Sequence, residues 1–339
     1  MTSKERVLRT LKFEQPDKVP VNLWCLPAAR LKYGDALEKL IAESEIDIIS
    51  APFADPTDDP RHFQIGSYTD VWGSEWNNRQ AGIIGEVKTA PLQDFSKVWE
   101  YKSPKEILLS GKKGLTETQQ FIEKYNDKFI LGGWITVFER MQFLRGTENL
   151  LMDTFIEPVE FFKLCEIVED YYTTYLDLWL ETDVDGIVFA DDWGSQQSLL
   201  IDPESWRRIF KPIYNRLFSK AKNAGKFVFM HSDGYILDLY DDFIELGVDA
   251  INSQVWCMGL DKVAAKCNGR ITNWGEICRQ NILPFGTPDE VQNAINQMKK
   301  HLWVNGGLIG QFEAAHDQPL ENIKTGINGW NIQDQIVSF

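Results

Sequence analysis

Short apolar runs recur along the chain, and most are followed by a segment that suits a helix. Eight such runs lie at residues 19–24, 46–49, 128–134, 186–190, 227–230, 249–254, 270–276 and 307–313. Short apolar runs suit strands that are buried on both faces, and eight of them alternating with helices are what a closed (β/α)8 barrel requires. The pattern therefore predicts an α/β protein with a TIM-barrel fold. A doubly wound open sheet is the alternative.

One segment departs from this alternation. Residues 69–76 and 83–89 alternate apolar with polar side chains, with Gly82 just before the second stretch and Gly85 within it. Such a pattern is typical of antiparallel strands, so we expect a β-hairpin insertion near residues 66–90. No flexible linker or block of like charge divides the sequence. We therefore expect residues 1–339 to form a single barrel domain.

Composition narrows the classes of partner. The chain carries 35 Lys and Arg against 50 Asp and Glu, a formal net charge of −15. This charge disfavours nucleic acid and anionic membranes as partners, because both bind clustered basic residues. No membrane-spanning stretch or signal peptide is recognisable, so we expect a cytoplasmic protein with a small-molecule substrate. The five cysteines are scattered without a CxxC pair, which argues against disulfides and a cysteine-only zinc site.

Candidate chemistry lies at the ends of the apolar runs. In a barrel, the residues just after each strand face one mouth, where active sites are built. The run 227–230 leads directly into His231 and Asp233. We predict catalytic roles for four residues at this mouth: His231, Asp233, Asp191 and Glu276. We predict substrate contacts for seven more: Trp24, Trp134, Asp192, Trp193, Gln254, Trp274 and Gln311.

Each group has a structural alternative. The aspartates also suit capping of the helices that follow them, and the tryptophans also suit plugging the top of the barrel core. His231, Asp233 and either Glu313 or Glu276 offer nitrogen and oxygen ligands for zinc. No HxxxH or CxxC motif fixes two ligands on one element. The sequence also lacks a phosphate-binding glycine loop and a GxSxG nucleophile motif.

Nearly the whole chain resembles the uroporphyrinogen decarboxylase superfamily, whose barrels include decarboxylases and corrinoid-linked methyltransferases. The matching segments are 3–8, 16–20, 185–192, 231–234, 246–250, 274–276, 286–291 and 319–323. Members of the decarboxylase branch carry an arginine-rich segment after the first strand. This chain departs from that pattern, because it has only Arg30 there. The acidic mouth also repels a substrate with many carboxylates. The chain thus looks nearer to the methyltransferase branch.

In that branch the resemblance implies a zinc ion, held by a histidine after the fifth strand, a cysteine two residues later and a second cysteine after the last strand. This chain has His231 but departs at the cysteines, which are replaced by Asp233 and Phe312, the latter beside Glu313. The resemblance then implies one of two arrangements. Either zinc has oxygen ligands through His231, Asp233 and Glu313 or Glu276, or no metal is bound and the carboxylates act as acid and base. It further implies methyl transfer from a small methylated compound, for example a methoxy-aromatic one, to a corrinoid protein. Uroporphyrinogen decarboxylase-type decarboxylation and a non-catalytic ligand-binding barrel remain the alternatives.

Overall fold

The computed structural model describes residues 1–53 and 55–331. Its strands are β1 (Val21–Cys25), β2 (Ile48–Ser50), β3 (Gly66–Thr69), β4 (Glu75–Asn78), β5 (Glu86–Thr89), β6 (Phe129–Ile135), β7 (Gly186–Ala190), β8 (Phe227–Ser232), β9 (Ala250–Ser253), β10 (Thr272–Trp274) and β11 (Leu308–Ala314). Eight of them form a closed barrel in the order β1-β11-β10-β9-β8-β7-β6-β2. All eight predicted runs overlap a barrel strand. The predicted TIM barrel is therefore confirmed, and the open sheet is wrong.

The predicted β-hairpin insertion is also confirmed, and it contains a third strand. Strands β3, β4 and β5 form an antiparallel sheet of their own, in which Tyr68 pairs with Trp76. Trp76 is buried, and its indole Nε1 donates a hydrogen bond to Asp70 Oδ2 at 2.8 Å. The alternating pattern thus arises because one face of this small sheet is buried and the other is exposed to solvent.

Helices fill the intervals between the strands. The α-helices are α1 (Ser3–Leu11), α2 (Pro27–Tyr33), α3 (Asp35–Glu43), α4 (Lys105–Ser110), α5 (Leu115–Lys124), α6 (Val137–Arg145), α7 (Thr147–Ile156), α8 (Val159–Leu180), α9 (Pro203–Asn223), α10 (Tyr240–Glu245), α11 (Val255–Met258), α12 (Leu260–Cys267), α13 (Ile282–Phe285), α14 (Pro288–Leu302) and α15 (Leu320–Asn328). Short 3₁₀ helices cover Pro60–Phe63, Phe95–Trp99, Gly111–Gly114, Leu237–Leu239 and Gly329–Asn331. Within the described ranges, no helix combines the length and apolar character needed to cross a membrane.

The chain divides into two compact units. The first comprises Met1–Ile49, Asn126–Phe129 and Asp249–Phe339. Here β9, β10, β11 and β1 pair in parallel, with Asn273 opposite Leu308 and Val21 opposite Gly310. Gly310 is required by packing, because a Cβ there would lie 2.4 Å from the indole of Trp330.

The second unit comprises Ser50–Tyr125 and Ile130–Val248. It contains the pairs β6–β7 and β7–β8, and Ala190 at the end of β7 lies opposite His231. Its core is aromatic, since the Trp193 ring lies 4.2 Å from Phe138 and 4.7 Å from Phe210 between centroids. That residues 1–339 form a single domain stays a prediction.

Candidate functional site

Three predicted residues come together at the ends of β7 and β8. His231 Nε2 lies 3.7 Å from Asp192 Oδ1 and 3.7 Å from Asp233 Oδ1. One potential ligand atom from each of the three side chains lies within 4.8 Å of the others. The backbone N–H of Asp233 also donates to Asp192 Oδ1 at 2.9 Å. The parallel pairing of β7 and β8 explains the meeting, because it aligns the carboxyl ends of both strands.

This donor set fits a metal ion. Zinc binds imidazole nitrogen and carboxylate oxygen at about 2.0–2.2 Å, so its tetrahedral ligands lie roughly 3.4 Å apart. The two separations of 3.7 Å from His231 Nε2 are close to that spacing. The His231 side chain is 10% exposed and that of Asp192 is 50% exposed. A metal held here would therefore have one protected ligand and one side open to solvent, as catalytic zinc sites require.

Two glycines fix the corner that carries these ligands. Gly234 has a φ of +79°, and a Cβ built on it would lie 2.2 Å from the carbonyl oxygen of Gly194. The N–H of Gly194 donates to Asp233 O at 3.2 Å, and the N–H of Tyr235 donates to Ser195 O at 2.7 Å. The loops after β7 and β8 are thus held in direct backbone contact, which positions Asp192 beside Asp233.

Unlike the half-exposed Asp192 that follows it, Asp191 is fully buried. Tyr214 Oη donates to its Oδ2 at 2.5 Å, and the backbone N–H of Glu139 donates to its Oδ1 at 2.8 Å. Burial raises the pKa of Asp191 to about 8, although these hydrogen bonds oppose the rise. Asp191 therefore joins β7 to the first turn of α6 and to α9, and its predicted catalytic role stays a prediction.

The expectation that these aspartates cap the helices that follow them is wrong. Helix α9 is capped by Asp202, whose Oδ2 accepts from Ser205 N at 3.0 Å. The 3₁₀ turn Leu237–Leu239 after β8 has no side-chain cap. Asp191 and Asp192 instead accept hydrogen bonds from backbone N–H groups. Asp191 accepts from the first turn of the earlier helix α6, and Asp192 accepts from the backbone of the neighbouring loop.

The predicted tryptophan walls divide into exposed and buried rings. Trp134 is exposed, and its ring stacks near His231 with centroids 6.0 Å apart. Trp193 is 0% exposed, donates from Nε1 to Tyr214 Oη at 3.2 Å and packs in the aromatic core. Trp193 thus has no exposed face in this structure, whereas Trp134 does. The substrate contacts of both residues stay predictions.

The first unit holds the other predicted residues. Trp274 is fully buried, meets Trp24 edge-on at 5.1 Å between centroids and donates from Nε1 to Asn22 Oδ1 at 2.9 Å. Gln311 is also fully buried, and its Oε1 accepts from Asn252 Nδ2 at 2.8 Å. Both side chains pack in the core of this unit, and the substrate contacts predicted for Trp274 and Gln311 stay predictions. Trp24 is partly exposed and Gln254 is largely buried, and the roles predicted for them stay predictions.

Glu313, predicted as a zinc ligand, does not belong to the group of three. Its Oε1 lies 3.4 Å from Arg279 Nη1, and Arg279 Nε lies 3.5 Å from Glu276 Oε1. The guanidinium of Arg279 thus lies between two carboxylates that would otherwise repel one another. Asp192, predicted for substrate contact, takes the place of Glu313 beside His231 and Asp233. The catalytic role of the buried Glu276 stays a prediction.

Sequence reasoning missed a cavity of about 380 Å³ in the second unit. Its walls come from the loop before β3, from the small antiparallel sheet, and from helices α6 and α8. Trp134 lines it, as do Glu139 and Arg140 from the first turns of α6. Burial, followed by the nearby charge of Asp192, raises the pKa of Glu139 to about 7. The available sequence signal was the polar pair Glu139 and Arg140 in the otherwise apolar start of α6. This pair lies about one helical turn beyond the end of the preceding strand, where active-site residues of barrels are expected.

Comparisons with known proteins identify a family and similar folds. The sequence model described as uroporphyrinogen decarboxylase (URO-D) matches residues 86–325. The fold is similar to that of a methyltransferase from Methanosarcina mazei, with a TM-score of 0.66, 17% identity and 98% of each chain covered. An endo-β-1,4-xylanase from Gloeophyllum trabeum aligns with a TM-score of 0.45 and 9% identity, over 90% of this chain and 86% of its own. No curated protein matches the sequence.

The family match spans most of the chain and includes the strands that carry Asp192, His231 and Asp233. The likeness to the Methanosarcina mazei protein at 17% identity supports the barrel fold alone. The chain belongs to the uroporphyrinogen decarboxylase family of enzymes.

Proposed function

We propose that this protein is a methyltransferase that moves a methyl group from a small methylated compound, of the methoxy-aromatic class, to a corrinoid protein. The observation that carries the proposal is the group of Asp192, His231 and Asp233 at two adjacent strand ends. An acid-rich metal site suits activation of an oxygen-bound methyl group. The fold that this chain shares with the methyltransferase from Methanosarcina mazei supports the same reading.

In this proposal His231, Asp192 and Asp233 hold a zinc ion. Zinc with oxygen ligands supplies Lewis acidity, which favours departure of a methyl group from an ether oxygen because the bonding electron pair stays on that oxygen. Trp134 offers a flat apolar face beside His231, against which an aromatic ring can lie. Asp191 keeps α6 and α9 tied to β7 and so positions Asp192, its neighbour in sequence.

The charge of the same group disfavours the decarboxylase reading. Asp192 and Asp233 place two carboxylates beside one imidazole. A porphyrinogen that carries many carboxylates would meet repulsion there unless cations compensated it. A neutral ether oxygen meets no such repulsion and gains from a bound cation.

The test is a transfer assay with zinc-loaded protein. Methoxybenzene derivatives serve as donors and cob(I)alamin as the acceptor, and methylation of the acceptor is followed by its absorbance. We expect turnover in the wild type and a loss of at least about a hundredfold in His231→Ala. Glu148→Gln is the matched control, because Glu148 is exposed and lies outside the site.

Two outcomes would replace the proposal. Metal-independent release of carbon dioxide from a porphyrinogen would establish decarboxylation in its place. Neither metal binding nor turnover, in protein that remains folded, would favour a ligand-binding barrel.

A further inference from the structure

Arg140 stands out among the residues that line the 380 Å³ cavity. Its guanidinium carbon lies 4.4 Å from the ring centroid of Trp72, so one face of the group is covered by an indole. Tyr172, which shares a hydrogen bond of 2.8 Å with Thr136 Oγ1, lies near the same guanidinium and helps to raise the pKa of Arg140.

Arg140 also has unsatisfied hydrogen-bond donors. Its Nε and Nη1 atoms are buried and have no acceptor in the described part of the chain, while the half-buried residue lines the cavity. A buried charged donor without an acceptor is costly, and native proteins nearly always satisfy such groups with protein, water or ligand. Arg140 therefore suits an acceptor that enters the cavity from outside. The group that best satisfies a planar guanidinium is a carboxylate.

The remaining walls define the rest of the ligand. Aromatic rings dominate the cavity, with Trp76 and Phe143 on the side of the insertion and Tyr172 and Tyr175 on helix α8. Flat rings suit a flat apolar ligand, and the volume of about 380 Å³ is that of a small-molecule site. Trp134 lines the cavity and also stacks near His231, so a ligand on Arg140 would lie next to the metal-ligand group.

We propose that this cavity binds a small aromatic carboxylate, with the ring between the aromatic walls and the carboxylate on Arg140. This inference rests on the proposed function in one respect, since it makes the methyl donor a methoxy-substituted ring acid. The binding itself requires neither metal nor corrinoid.

Three carboxyl groups line the same walls: Asp55, Asp58 and Glu139. Asp55 Oδ1 already accepts from both the backbone N–H and the hydroxyl of Thr57, at 2.7 Å each, and burial raises the pKa of Asp55. Asp58 is exposed, so solvent and salt screen its charge. Burial raises the pKa of Glu139 to about 7, which weakens its negative charge near neutral pH. Arg140 keeps its charge throughout, because guanidinium does not lose its proton in proteins.

Calorimetry with two matched probes tests the inference on protein without metal. 4-Methoxybenzoate and 4-methoxybenzamide share their shape and differ in charge. We expect the benzoate to bind about ten- to a hundredfold more tightly, the usual range for a hydrogen bond to a charged partner. Arg140→Met should remove that preference while leaving amide binding nearly unchanged. Arg61→Met, at an exposed arginine that does not line the cavity, should preserve it.

The wild-type comparison stands even if Arg140→Met fails to fold. Equal affinity for the two probes, binding of neither, or tighter binding of tetramethylammonium than of the benzoate would overturn the inference. Equal loss of both probes in a folded Arg140→Met variant would also overturn it, because that pattern reports packing. Failure of methyl transfer with the benzoate preference intact would refute the proposed function and leave the ligand class standing.

Discussion

Glu139 offers a quantitative test of the electrostatics beside the candidate site. The side chain lines the cavity from the first turn of α6, and its backbone N–H is held by Asp191. Burial is the main cause that raises its pKa from 4.5 to about 7, and the charge of Asp192 adds to it. An elevated carboxyl pKa means that the folded protein keeps a proton that the unfolded chain has lost.

The sign and size of the effect follow from that difference. Between pH 4.5 and pH 7 the unfolded chain binds fewer protons at this position, so the free energy of unfolding decreases as the pH rises. At about 1.4 kcal/mol for each pKa unit, the loss approaches about 3 kcal/mol and is complete above pH 7. Glu139→Gln replaces the acid by a neutral amide of the same shape and should escape this loss.

Urea denaturation between pH 4.5 and pH 8 measures this loss in the free energy of unfolding. The free energy of unfolding of Glu139→Gln, relative to wild type, should increase by about 3 kcal/mol over this range at an unchanged m-value. Glu148→Gln is the control, because the exposed Glu148 is hydrated in both states and should give a constant difference. A constant difference for Glu139→Gln as well would refute the claim that burial at the cavity controls this carboxyl group.

Two further predictions concern the corner that carries the ligands. Gly225→Ala, at φ +75° with no atom within 4 Å of the new Cβ, should lower the free energy of unfolding by about 1–2 kcal/mol through backbone strain alone. Gly234→Ala adds a 2.2 Å clash with Gly194, so urea denaturation should show a loss at least twice as large. Equal costs would contradict the close contact of the two loops. Tyr214→Phe removes the donor to buried Asp191 and should lower the free energy of unfolding by about 1–3 kcal/mol, and an unchanged urea midpoint would contradict this role.

The fold was readable from the sequence because its signals are local. Each barrel strand is a short apolar run, and the strong helices carry their own start signals, as at Asp202 and Pro203 before α9. Short turns were harder to predict. The segment after Asp233 forms the 3₁₀ turn Leu237–Leu239 followed by the short α10, and neither has a side-chain cap.

The candidate site was readable only in part. Strand ends identified Asp192, His231 and Asp233, but sequence position does not reveal which way a side chain points. Asp191 and Asp192 are neighbours, and yet one is buried under Tyr214 while the other is half exposed. Asp192 therefore lies in the position expected for Glu313, beside His231 and Asp233, whereas Glu313 pairs with Arg279. Trp193, Trp274 and Gln311 are buried in the core.

The central claim is that Asp192, His231 and Asp233 form a metal site without sulfur. X-ray absorption of protein loaded with one equivalent of zinc tests it most directly. We predict nitrogen and oxygen neighbours at about 2.0–2.2 Å, with an imidazole signature that disappears in His231→Ala. Sulfur at about 2.3 Å, or a spectrum unchanged by His231→Ala, would place the metal on cysteine or on other residues and contradict the account.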